Sequence, residues 1–124
     1  MTRSISVFLG VEFLIFLTAA LIHFEVLLDG YGDEGAGIAE SVIGFVLLVG
    51  LILSWGRREW ARRAGIAVQT FALLGTFVGL TLLFVVGPRT TLDTVIHLVM
   101  VAVLVVGLGV AVRAGRGLGR GRTG

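Results

Sequence analysis

Two histidines and several carboxylates interrupt long apolar stretches of this chain, and any chemistry it performs would begin with them. In hydrocarbon an ionisable side chain costs about 2.5–3.5 kcal/mol on the insertion scale, so each one marks a candidate site. The candidates are Glu12, His23, Glu25, Glu40, Asp93 and His97, with the polar Gln69 beside them. Asp93 precedes His97 by four residues, a spacing that puts both on one helix face where they can converge on one ion. Neutral imidazoles and carboxylates are the ligand set of zinc, copper, nickel or iron. Two histidines on different helices also suit the axial positions of a haem iron. His23 and His97 are therefore the expected ligands. Glu40 and Asp93 would add oxygen ligands or orient the rings. The expected cofactor is a transition metal (Cu, Zn or Fe) or haem b.

A second group lies deeper. Glu12 and His23 are eleven residues apart, which returns to within about 20° on a helix of 3.6 residues per turn. One stripe of the first apolar segment thus carries both, through Phe16 and Ala19. Gln69 and Thr76, seven residues apart, share a face of the third segment near the same depth as Glu12 and should supply hydrogen bonds to it. Glu12 and Gln69 are expected to handle protons or to hold helices together. Glu25 points away from His23 and sits near enough to the boundary to reach water.

The elements that must position these groups follow from composition. The 124 residues are 56% hydrophobic and 15% charged, with one Pro and no Cys, whereas a soluble domain carries about 25% charged residues. That profile excludes an ordinary soluble domain, a disordered chain and a disulfide scaffold. The missing cysteines also exclude zinc ribbons, iron–sulfur clusters and thiol nucleophiles. A bilayer core of about 30 Å needs roughly 20 apolar residues in helical form. Segments 5–28, 38–55, 64–87 and 92–112 satisfy this. The linkers between them are short, and the first and third carry glycine or proline breakers. An all-α, up-down-up-down bundle of four transmembrane helices is the economical architecture, one domain over residues 1–112.

Arginine sets the expected orientation. Arg3, Arg57, Arg58, Arg62, Arg63, Arg113, Arg116, Arg120 and Arg122 fall on one side, and only Arg89 on the other, where Asp29, Asp33 and Glu34 lie. Both termini and the middle loop should be cytoplasmic in a cell (plasma) membrane, with Trp55 and Trp60 at the interface. Counted from the span ends, His23 and His97 then lie at nearly equal depth in the outer half, with Glu40 and Asp93 close by and Met100 one turn deeper. The 5–28 segment is too long for a signal h-region, so it is expected to remain as a span. The Gly/Arg-rich tail, residues 113–124, reads as a cytoplasmic anchor that fixes orientation near anionic lipid. Nucleic acid is not an expected partner.

In length, span number and the first-span glutamate Glu12, the chain resembles the small multidrug resistance transporters. That resemblance implies proton-coupled transport of a small solute through Glu12. The aromatic pocket pattern of that family is not found around Glu12, and the His/carboxylate group at the other depth lies outside the family's pattern. A third possibility is an accessory subunit of a larger membrane complex, with polar side chains serving as helix glue. Gly75-Thr-Phe-Val-Gly79 is a GxxxG element and reads as a helix contact or homodimer face. Hydrolytic catalysis finds no support: no nucleophile motif, no Walker loop, no GxGxxG and no HExxH is present, and the 29–35 acidic run lacks the positions of an EF-hand.

Overall fold

The computed structural model of the chain describes residues 2–85 and 90–114. They form four α-helices and no strand: α1 (Thr2–His23), α2 (Glu34–Gly56), α3 (Arg58–Val85) and α4 (Thr91–Ala114). At 1.5 Å per residue these helices are about 33–42 Å long, enough to cross a bilayer core. All four are apolar enough to do so. Residues 115–124 of the Gly/Arg tail, and Arg89 of the third linker, lie outside the described residues.

Side-chain contacts give the helix directions. Ser6, near the start of α1, hydrogen-bonds Ser54 near the end of α2 (2.8 Å), while His23 at the end of α1 meets Glu40 near the start of α2. Gly65 of α3 abuts Ile5 and Ala111, which joins the start of α3 to the start of α1 and the end of α4. Successive helices are therefore antiparallel. Arg3, Arg57, Arg58, Arg62, Arg63 and Arg113 gather at the Ser6 end, and Asp33, Glu34 and Asp93 at the His23 end. Helix α1 packs against all three others, whereas α2 and α4 make no close approach among the described residues.

Ile5, Leu9, Phe16, Leu47, Met100 and Leu104 fill the interior. Phe45, Leu74, Val78, Leu98 and Val106 stand outward on the opposite faces, the arrangement expected when lipid replaces water as the solvent. Small residues bring the helices together. A Cβ at Gly50 would sit 2.6 Å from Val68, and one at Gly75 would sit 2.9 Å from Ile43, so α2 and α3 pack at the distance glycine allows. Gly75 and Gly79 therefore border Ile43 and His97 within this bundle, as the helix contact that the GxxxG element suggests.

The first helix stops at His23 and does not continue to residue 28. Val26 N–H donates to Leu21 O (2.9 Å) and Glu25 N–H to Ile22 O (3.0 Å), the paired bonds of a Schellman motif. Glu25 occupies the left-handed position at φ 58°, where glycine is the usual residue. Its carboxylate accepts from Gly30 N–H (3.1 Å) at the exposed surface. The strain should outweigh that exposed bond. Glu25→Gly is expected to stabilise the fold by about 0.5–1 kcal/mol, read as a higher melting midpoint in detergent. A lower midpoint would assign the loop's order to the Glu25–Gly30 bond.

Helices α2 and α4 begin with side-chain caps. Asp33 accepts from Ala36 N–H (3.0 Å), and Thr90 accepts from Asp93 N–H (3.1 Å). Asp33 N–H in turn donates to His23 O (2.9 Å). The loop after α1 is thus tied back to the residue that ends the helix.

Candidate functional site

Three helix ends meet around His23. The ring is 3% exposed at the last residue of α1 and projects toward the gap between α2 and α4. Its Nδ1 lies 2.7 Å from Glu40 Oε2 of α2, and its Nε2 lies 2.9 Å from Asp93 Oδ1 of α4. Glu40 sits under two turns into α2 and is 4% exposed. Asp93 occupies the first turn of α4, where the helix dipole favours a carboxylate.

Proton arithmetic constrains this trio. Each short N···O contact needs one proton, so the three groups share two. Either an imidazolium lies between two carboxylates, or a neutral imidazole lies between one carboxylate and one carboxylic acid. Both arrangements carry a net charge of −1. The second oxygen of Glu40, Oε1, is buried with no hydrogen-bond partner among the described residues.

His97 is held differently. Its Nδ1 donates to the backbone carbonyl of Asp93 (2.7 Å), because a carbonyl can only accept. In the neutral ring, Nε2 therefore keeps its lone pair. A Cβ at Gly79 would stand 3.9 Å from that nitrogen. His97 is thus in the same region as His23 but does not bond to it.

A cavity of about 320 Å³ opens beside the trio. Its polar lining comes from His23, Glu40, Asp93, His97, Asp33 and Thr76, and Phe16 contributes to its apolar wall. Among the described residues, three carboxylates and two histidines line it. The four residues expected as metal ligands, His23, Glu40, Asp93 and His97, all border it. Met100, expected one turn deeper, borders it too. Sequence reasoning missed Asp33 as a lining residue. Asp33 was legible as a helix cap, being an aspartate directly before α2.

The metal expectation meets a geometric obstacle. A ligating imidazole must offer a lone pair, and both nitrogens of His23 are engaged by carboxylates. No group of three or more His, Asp or Glu among the described residues has the arrangement of a metal site. The pair expected to clamp a haem iron thus has one ring whose nitrogens are both taken.

The deeper group also assembles in part. Glu12 (1% exposed) and Gln69 (fully buried) both present Oε1 to the α-carbon of Gly107 on α4. They do not hydrogen-bond each other; Gln69 Nε2 donates instead to Gly65 O (3.0 Å). Thr76, expected near Glu12, donates to Ala72 O (2.8 Å). Glu25 lies at the exposed loop, away from both groups.

No family model matches the chain, and neither a curated protein nor a solved structure matches it. The site's own geometry therefore carries the functional argument.

Proposed function

We propose that this small multi-pass membrane protein is a proton-linked carrier of small organic cations. The observation that carries the reading is His23 bridged between Glu40 and Asp93 at the wall of a cavity rich in carboxylates. An amine or quaternary ammonium group entering there finds negative charge from Asp33, Glu40 and Asp93 and an apolar wall that includes Phe16. A cavity of about 320 Å³ lies at the lower end of the usual range for small-molecule sites.

Charge balance then links the cation to a proton. The empty trio holds two protons and a charge of −1. If a monocation enters as one proton leaves, the local charge is again −1. Exchange keeps the buried charge constant, which matters where every uncompensated charge is costly. Glu40 Oε1 is the oxygen left to receive the cation. His23 redistributes the remaining proton between the carboxylates. By the arginine distribution we place this end on the outer face of the plasma membrane, with both termini in the cytoplasm.

The test is calorimetric titration of benzyltrimethylammonium into purified protein, repeated in two buffers of different protonation enthalpy. The reading expects saturable binding with release of about one proton per cation, abolished in Glu40→Gln and Asp93→Asn. Binding without proton release, or no binding, sinks it.

A divalent metal is the second reading, favoured by one observation: His97 Nε2 and Glu40 Oε1 are both unspent in the same cavity. Elemental analysis of freshly purified protein decides between them. Zinc, copper or iron near one per chain, lost in His97→Ala, would replace the carrier reading.

A further inference from the structure

Glu12, Gln69 and Gly107 form an arrangement that the cavity chemistry does not use. Glu12 Oε1, Glu12 Oε2 and Gln69 Oε1 are buried without a hydrogen-bond partner among the described residues. The amide of Gln69 cannot simply turn over to help. Its nitrogen is committed to Gly65 O, which fixes its oxygen toward Gly107. At Gly107 a Cβ would collide with both Glu12 Oε1 and Gln69 Oε1, and would crowd the Phe8 ring at 3.2 Å. The two residues thus point acceptor oxygens into a space that only glycine leaves open.

Acceptor oxygens without a donor repel one another. Buried in low dielectric, they call for a cation between them or a proton on Glu12. The ligand set is all oxygen, one carboxylate and one amide carbonyl, which suits hard cations and not the softer metals that take imidazole or thiolate. A single carboxylate supplies one negative charge. A monovalent ion leaves the site neutral, whereas a divalent ion would strand a positive charge among apolar side chains.

We infer that Glu12 and Gln69, opposite Gly107, bind a monovalent metal cation, sodium in the first instance, at a site separate from the His23 cavity. The site stands on its own geometry and is independent of the carrier reading. The sodium ion ties α1 to α3 beside Gly107 of α4, by accepting lone pairs from Glu12 and Gln69 oxygens that have no partner among the described residues.

The experiment is thermal unfolding of the purified full chain in detergent. Sodium chloride, potassium chloride and choline chloride are compared at equal ionic strength, each at two pH values. Sodium should raise the midpoint over choline by roughly 5 °C when it is well above its dissociation constant. Glu12→Gln keeps the side-chain shape and adds an N–H donor that can face Gln69 Oε1. It should melt at or above the wild-type midpoint in choline and show no response to sodium. Gly107→Ala should also lose the sodium response, with Glu12→Gln as the control for simple misfolding. Equal midpoints in all three salts, or a midpoint that moves with pH alone, would overturn the inference. In the pH-only outcome Glu12 is a proton site.

Discussion

His23→Ala is expected to lower the stability of the folded chain by about 3–5 kcal/mol, the range seen when one partner of a buried ionic cluster is removed. The loss is not chiefly the missing ring. Without the imidazole, Glu40 and Asp93 face the same gap with no cation or donor between them, and one of them is 4% exposed. The sharper half of the prediction is therefore a rescue. Adding Glu40→Gln to His23→Ala removes one of the two carboxylates and should recover at least ~1 kcal/mol, although each single change is destabilising. Chemical or thermal unfolding of the four proteins in one detergent completes the double-mutant cycle. Additive losses, with no recovery, would mean that the three side chains do not act as a unit.

Phe16→Ala carries the second large effect. Phe16 is 1% exposed, is one of the largest fully buried side chains, and forms part of the cavity wall. In a soluble core such a truncation costs about 3–5 kcal/mol. Within lipid the water-transfer share is small, so about 2 kcal/mol of lost packing is expected here. Phe16 also stands one turn from Glu12 on the same face of α1. Shortening it should extend the cavity toward Glu12. In liposomes carrying a pH gradient, Phe16→Ala is expected to dissipate the gradient faster than wild type, and Phe16→Leu to retain it. Equal leak rates for all three would show that Phe16 does not separate the cavity from Glu12.

Four helices were legible because each requires about twenty apolar residues and the linkers are short. The meeting of His23, Glu40 and Asp93 was legible from depth alone, since antiparallel neighbours bring equal depths together. Depth does not fix rotation. His97 was expected to join His23 as a ligand of one metal, and its ring folds back on the carbonyl of Asp93, one turn earlier in its own helix. Rotation also turned Gly75 and Gly79 inward. The end of α1 was hidden for a local reason. Residues 24–28 are mostly apolar and contain no glycine or proline, and a glutamate takes the left-handed position that glycine normally announces. By contrast, Thr90-x-x-Asp93 is a readable helix-start pattern of the capping-box kind. Here only half of it is used as a cap: Thr90 accepts from the Asp93 N–H, and the Asp93 carboxylate is engaged by His23.

The bridge at His23 also has a timetable. In chain order Glu40 follows His23 by 17 residues and Asp93 by 70. At ~5–20 residues per second of synthesis, the second carboxylate emerges about 3–10 s after the first. During that interval the α1–α2 hairpin enters the bilayer with one nitrogen of His23 engaged and the other facing the place α4 will take. A polar group waiting in lipid makes the arrival of α4 favourable and fixes which helix can satisfy it. The same ring that later borders the cavity thus acts first as an assembly mark, holding a place for α4.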